Sequence, residues 1–253
     1  MTSSVGDVGR PPGSATARPP QGSREPTAPP ALVWAPVRVI ALPVKALAEA
    51  KTRLAPILEP LERAALTLAM LEDALDASLA LPGWESWVVS PDDTVLEVAA
   101  RRGARAVVEE TPTLPAAIHQ VETDALGVGA HALAVLLPDI PLVTPSALTR
   151  AVHTLGPIVI APALDEVGTN LLLRRPPDVL PAAFGADSYR RHLQAAAEID
   201  VPVSVVERDE LGFDLDVPDD ILTVLEAGRR TRTWEVCHDL DAMTRLGARA
   251  VRP

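Results

Sequence analysis

A chain of 253 residues with 47% hydrophobic content can bury one substantial core, and its formal charge of -11 excludes the basic footprint that a nucleic-acid groove or an anionic membrane surface demands. A single cysteine, Cys237, excludes an intrachain disulfide and a thiolate metal cluster, as expected of a protein in a reducing cytoplasm. No apolar run approaches the roughly 18 residues needed to span a bilayer, and the amino terminus lacks a hydrophobic signal core.

Residues 1–33 are rich in Pro, Gly, Ser and Thr without apolar periodicity, which predicts a disordered arm. From Trp34 the pattern becomes strand, helix, strand, helix, predicting one α/β domain over residues 34–229 with a mostly parallel sheet covered on both faces. The predicted strands are Val37–Leu42, Ser86–Val89, Ala104–Val108, Ala132–Leu137, Ile158–Ala161, Leu171–Leu173 and Val201–Val206. A long helix between the first two carries Leu61, Ala65, Leu68, Leu71, Leu75 and Leu79 at the spacing of a buried stripe. Further helices are predicted over Asp92–Arg102, Leu114–Leu126, Pro145–Leu155, Asp187–Ala197 and Pro218–Ala227, with Thr144 as an N-cap before Pro145. Residues 230–253 form a C-terminal extension whose weak periodicity assigns it no structure.

Three clusters carry chemistry. The loop after the first strand holds Lys45, Lys51 and Arg53, where an open α/β sheet binds the phosphates of a nucleotide. It has no glycine-rich phosphate loop, so the side chains must neutralise the phosphates; the plainer alternative is a solvated basic loop. Asp139 follows the apolar run Ala134–Leu137, and Asp214-Leu215-Asp216 places two aspartates on one side of an extended segment with Leu215 turned inward. Together these aspartates offer the hard oxygen ligands that Mg²⁺ prefers, although a turn aspartate and a helix cap explain them more simply. Gly168-Thr169-Asn170 and Phe184-Gly185-Ala-Asp187-Ser188 form the third cluster, with Gly185 ahead of a helix start whose amides suit an anion. The five histidines, His192 among them, lack zinc spacing and read as surface or packing residues.

In their order, Pro-Val-Lys45, Ala-Lys51-x-Arg53-Leu, Ser-Pro-Asp92, Asp139-Ile-Pro, Gly168-Thr169-Asn170, Phe-Gly185-x-Asp-Ser188 and Asp214-x-Asp216-x-Pro-x-Asp resemble the guanylyltransferases of coenzyme F420 biosynthesis, over about residues 37–227. The resemblance implies a single-domain, nucleotide-diphospho-sugar-transferase-like (Rossmann-like) fold. It implies transfer of GMP from GTP to a small phosphorylated three-carbon acid, release of pyrophosphate, and hand-off of the product to the transferase of the F420 precursor. Carried over by position, Thr169, Gly185 and Ser188 hold the acid, Asp139, Asp214 and Asp216 serve Mg²⁺, and Lys45, Lys51 and Arg53 meet the GTP phosphates. Phosphoenolpyruvate is the expected acceptor because the composition and the arm look actinobacterial; 2-phospho-L-lactate and 3-phospho-D-glycerate are alternatives, as is a non-catalytic nucleotide-binding module. Two departures stand out. Pro115 removes an amide where relatives carry Asn, and Val217 stands where relatives have a capping Thr, which leaves Asp216 open to use as a helix cap.

Overall fold

The computed structural model describes residues 36–250, together with 1–4 and 6, so the arm expected at residues 1–33 lies largely outside the described residues. The chain divides at Trp34, and the unit beginning at Ala35 is built on one seven-stranded sheet. Its strands are β1 (Arg38–Pro43), β2 (Glu85–Ser90), β3 (Arg105–Val108), β4 (Ala132–Leu136), β5 (Ile158–Pro162), β6 (Thr169–Arg174) and β7 (Val203–Val205), in the order β3-β2-β1-β4-β6-β5-β7. All neighbours are parallel except β6, which runs antiparallel to β4 and β5. The connection from β5 to β6 is too short for a crossover helix, so β6 must reverse direction.

The helices are α1 (Pro60–Leu79), α2 (Asp93–Arg102), α3 (Leu114–Gly127), α4 (Pro145–His153), α5 (Ser188–Glu198), α6 (Asp209–Gly212), α7 (Asp220–Glu226), α8 (Arg232–Asp239) and α9 (Ala242–Ala250). Local chemistry sets several of their starts. Thr113 and Thr144 accept amides of the first turns of α3 and α4, each with Pro in that turn, and Glu59 and Glu62 form a reciprocal capping box at α1. Gly103 closes α2 at φ +90°, a conformation that costs any other residue Cβ strain.

The helices α1, α2 and α4 cover one face of the sheet and α3 and α5 the other. No described helix is long and apolar enough to cross a membrane. The stripe expected on α1 needs correction: Leu61 is 85% exposed and Ala65 is also exposed, whereas Leu66 and Met70 are buried. The reason is that α1 is packed on two sides. Leu71, Ala74 and Leu75 face the sheet, while Leu66 and Met70 join Leu54, Leu58, Phe213, Leu215, Ile221, Val224 and Cys237 in a second core. The residues beyond Arg229 supply part of that second core. Asp73 on α1 receives the amides of Arg232 and Thr233 and the Thr233 hydroxyl at 2.7–3.0 Å, which pins α8 against α1.

Candidate active site

The strand order reverses between β1 and β4, since the chain proceeds outward from β1 through β2 to β3 and then returns to β4 on the other side. Such a switch point leaves a crevice beyond the carboxyl ends of the two strands. Both connections that leave these ends carry charge. The β1 connection brings Lys45, Lys51 and Arg53, and the β4 connection brings Asp139; all four line a cavity of about 340 Å³ together with Asp216, Thr67 and Leu114.

The basic loop is firmly held. Val44 N–H donates to Val89 O at 2.9 Å, Leu47 N–H to Asp92 Oδ2 at 3.0 Å, and the buried Arg63 guanidinium to the carbonyls of Ala50 and Leu58. Asp92 is also the N-cap of α2, so one carboxylate fastens the loop to the neighbouring strand end. Two 3-10 turns, Leu47–Glu49 and Thr52–Leu54, flank Lys51, which sits at φ +49°. A non-glycine residue in this region carries backbone strain that its surroundings must hold in place. Here the opposing force is electrostatic. Lys51 Nζ donates to Asp139 Oδ2 at 2.9 Å and to Asp216 Oδ1 at 2.8 Å, with its side chain only 9% exposed. Burial alone would lower the ammonium pKa, but the two carboxylates outweigh it and raise it above the ordinary lysine value. Arg53, 73% exposed at its side chain, reaches Asp216 Oδ2 at 3.4 Å, and Lys45 is exposed on the cavity wall.

The two acidic segments are joined through their backbone: Leu215 N–H donates to Asp139 O at 3.0 Å while its side chain is fully buried. This places Leu215 inward and both Asp214 and Asp216 on the half-buried side, as the alternation predicts. Burial, reinforced by the charges of Asp139 and Asp216, pushes the Asp214 carboxyl up to about 6. The pull of Lys51, with that of Arg53 and Lys45, outweighs burial at Asp216 and holds its carboxyl below the ordinary aspartate value. Asp216 does not cap the following helix. Asp220, the first residue of α7, reaches back instead, its Oδ2 accepting from the amides of Asp216 and Val217 at 2.7 Å each, and no side chain caps the helix at Asp219. Both Asp216 oxygens are instead engaged by cations. No group of three His, Cys, Asp or Glu side chains arranged to hold a metal ion occurs among the described residues. Asp139 Oδ1, however, is buried with no hydrogen-bond partner.

Thr169, Gly185 and Ser188 stand apart from that cavity's lining and assemble around α5. A β-bulge decides this. Ala161 pairs with Leu171 but the next residue, Pro162, pairs with Thr169, so Asn170 is an extra residue in β6. Strict alternation would put Thr169 on the face of Leu171 and Leu173; the bulge turns it to the opposite face, toward α5. Asn170 points the other way and donates to the carbonyls of Leu211 and Gly212 at 3.1 and 2.9 Å, fixing the segment that leads into Asp214. Leu137 N–H donates to Asn170 O at 2.9 Å, so this cluster adjoins the β4 end that carries Asp139.

Gly185 adopts φ +109°, and Asp187 at φ +53° opens α5. The first amides of that helix are not free for an anion as expected: Ser188 N–H donates to Gly185 O and Tyr189 N–H to Val167 O, both at 3.1 Å. The Thr169 and Ser188 hydroxyls add side-chain donors to this cluster. His192, expected as a surface or packing residue, is a packing residue in the interior. It is fully buried one turn after Ser188, its Nδ1 lies 3.1 Å from Thr169 Oγ1, and its Nε2 accepts from Ala183 N–H at 2.8 Å. Burial, with the nearby Arg174 and Arg191, lowers its pKa to about 4. Its signal in the sequence was the i, i+4 spacing from Ser188, visible only once α5 is known to face β6. Pro115 falls in the first turn of α3, where its missing N–H breaks no intrahelical bond.

Comparison with known proteins agrees with this architecture. The chain is 41% identical over 190 residues to a phosphoenolpyruvate guanylyltransferase of Rubrobacter xylanophilus, covering 74% of this chain and 93% of that protein. It is 37% identical over 204 residues to a 3-phospho-D-glycerate guanylyltransferase of Phenylobacterium zucineum, covering 78% and 93%. The crystal structure of a candidate nucleotide-diphospho-sugar transferase from Desulfovibrio desulfuricans G20 superposes with a TM-score of 0.69 over 83% of this chain and 97% of that one; at 21% identity it speaks for the fold alone. A family model described as guanylyl transferase CofC like matches residues 37–246. With that match over most of its length and nucleotidyltransferase architecture at the switch point, the chain belongs to the CofC-like guanylyltransferase family.

Proposed function

We propose that this guanylyltransferase transfers GMP from GTP to the phosphate of phosphoenolpyruvate, releasing pyrophosphate and giving enolpyruvoyl-2-diphospho-5'-guanosine for coenzyme F420 biosynthesis. The observation that carries the reading is the meeting of Lys45, Lys51 and Arg53 with Asp139 and Asp216 on one cavity at the switch point. Phosphoenolpyruvate is chosen because the 41% identical relative bears that activity in its name.

An acceptor phosphate oxygen is already a nucleophile, so the reaction needs no strong general base. Positioning and charge neutralisation dominate. Lys45 and Arg53, exposed on the cavity wall, draw the triphosphate in and balance charge on the departing pyrophosphate. Lys51 holds Asp139 and Asp216 at a fixed separation, and an incoming triphosphate competes with those carboxylates for its ammonium. Thr169, Gly185 and Ser188 seat the acceptor on the α5 side, with the Thr169 and Ser188 hydroxyls as donors to its anionic groups.

The residues fit Mg²⁺. An unpartnered buried carboxylate oxygen on Asp139 and a second carboxylate, Asp214, pushed up by burial and by like charge are what a hard cation relieves, and Mg²⁺ commonly takes one or two carboxylates and completes its shell with water and phosphate. Asp139 and Asp214 would hold it, with Asp216 bound to the cations beside them. Bound there, it would supply charge stabilisation to donor and acceptor phosphate oxygens. Dependence on GTP suits a cytoplasmic enzyme, and the mixed diphosphate product suits a downstream transferase that joins it to the deazaflavin precursor.

The test is pyrophosphate release by the purified protein with GTP and MgCl₂, comparing phosphoenolpyruvate, 2-phospho-L-lactate and 3-phospho-D-glycerate, with ATP and CTP as donor controls. Release that requires GTP and phosphoenolpyruvate supports the reading. Release with another acid alone overturns the acceptor assignment, and silence with all three under product removal overturns the acceptor class.

A further inference from the structure

The motif that the reaction does not yet use is the buried pair Thr169 and His192. A threonine hydroxyl rotates freely, so a binding site that relies on its proton must fix where that proton points. The surroundings of His192 do so by elimination. Ala183 N–H only donates, and it lies 2.8 Å from His192 Nε2, so Nε2 must present its lone pair. A neutral imidazole whose Nε2 accepts carries its proton on Nδ1. The Nδ1–H then donates to Thr169 Oγ1 at 3.1 Å, and Thr169 receives that bond with oxygen and not with hydrogen.

We propose that His192 is a positioning residue for the acceptor site: by donating from Nδ1 to Thr169 Oγ1 it forces the Thr169 hydroxyl proton away from the ring and leaves it available to an oxygen of the acceptor's phosphate or carboxylate. The proposal rests on the reading of Thr169 as an acceptor-binding residue. Three features support it. The imidazole is completely buried, so no water competes for Nδ1. Its ring is held edge-on against Phe184, the residue before Gly185, with centroids 5.3 Å apart. Ser188 lies one helical turn before it on α5, so the oriented hydroxyl and the other proposed acceptor residues share one side. The β-bulge at Asn170 has a consequence here as well, since without it Thr169 would not reach this ring.

A pair of amide replacements separates the two nitrogens. His192→Asn retains a donor near the Nδ1 position and loses the acceptor for Ala183. His192→Gln retains an acceptor near Nε2 and loses the donor to Thr169. Steady-state kinetics with GTP and phosphoenolpyruvate should show the acceptor KM of His192→Gln raised about 10-fold, the size of one hydrogen bond to a charged group, with the GTP KM moving less than about twofold. His192→Asn should recover most of that loss. Thr169→Val should raise the acceptor KM by about 10-fold or more, and adding His192→Gln to it should change little further, because the two act on one hydrogen.

Equal losses in both amide variants, additive losses in the double variant, or a GTP KM that moves in step would overturn the proposal. If Thr169→Val leaves the acceptor KM untouched, the acceptor-site reading itself fails. Nitrogen NMR of the ring in the parent protein gives a check that needs no activity: protonated Nδ1 with unprotonated Nε2 is expected, and the reverse tautomer overturns the assignment.

Discussion

Lys51 Nζ lies 2.9 Å from Asp139 Oδ2 and 2.8 Å from Asp216 Oδ1, so one lysine of the β1 connection closes two acidic segments that are 77 residues apart in the chain. An ammonium this well buried is stable only because both carboxylates face it. The pair of contacts also holds the loop in its left-handed turn at residue 51. Charge balance and loop geometry at the switch point are therefore one feature.

Lys51→Met should lower the melting temperature by about 6–20 °C, since removing one partner of a buried ion pair costs roughly 3–5 kcal/mol. It leaves Asp139 without its ammonium partner and Asp216 with only the exposed Arg53. MgCl₂ should restore more stability to this variant than it adds to the parent, as read by differential scanning fluorimetry at neutral pH. An unchanged melting curve would show that the lysine is not holding the carboxylates together in solution.

Asp139→Asn should reduce kcat/KM by at least about 100-fold, the scale on which a precisely placed charge acts in a transition state. The fold should survive, because the bond that joins Asp139 to Leu215 uses backbone atoms and the amide leaves it untouched. Pyrophosphate release and a thermal melt on the same preparation decide it. An active variant removes Asp139 from the metal role.

Asn170→Ala should cost about 1–3 kcal/mol in urea denaturation, since the Leu211 carbonyl loses its side-chain donor while the Gly212 carbonyl keeps Leu164 N–H. The same change should lower kcat more than it raises either KM, because it loosens the segment that presents Asp214 and Asp216 without touching substrate. A variant as stable as the parent would mean that water replaces the amide.

His192 gives the fold a pH dependence of defined sign. Its pKa is depressed to about 4 in the folded protein, against 6.5 for an ordinary histidine, so its contribution is present above pH 6.5 and is lost as the pH falls from 6.5 through 4. The full effect is about 3 kcal/mol. Urea unfolding of the parent and of His192→Asn should give curves whose separation shrinks between pH 7.5 and pH 4.5. A constant separation would mean that the ring titrates alike in both states.

The sheet, its flanking helices and the chemical types at the site were legible in the sequence because each is written in local pattern. Apolar runs after turn residues marked the strands, Thr144 before Pro145 marked a helix start, and Asp214-Leu215-Asp216 carried its own in-and-out alternation. Such signals depend on neighbours within a few residues. The tertiary structure decided what local pattern leaves open. It turned α1 by packing a second core against its outer side, so that Leu66 and Met70 went in and Leu61 stayed out. It inserted Asn170 as a bulge and so reversed the face of Thr169. It also gave Lys51 to two aspartates and tied the Asp216 amide to the Asp220 carboxylate. Each of these depends on which distant group arrives at hydrogen-bonding distance, and that is set by how the layers pack, not by any spacing along the chain.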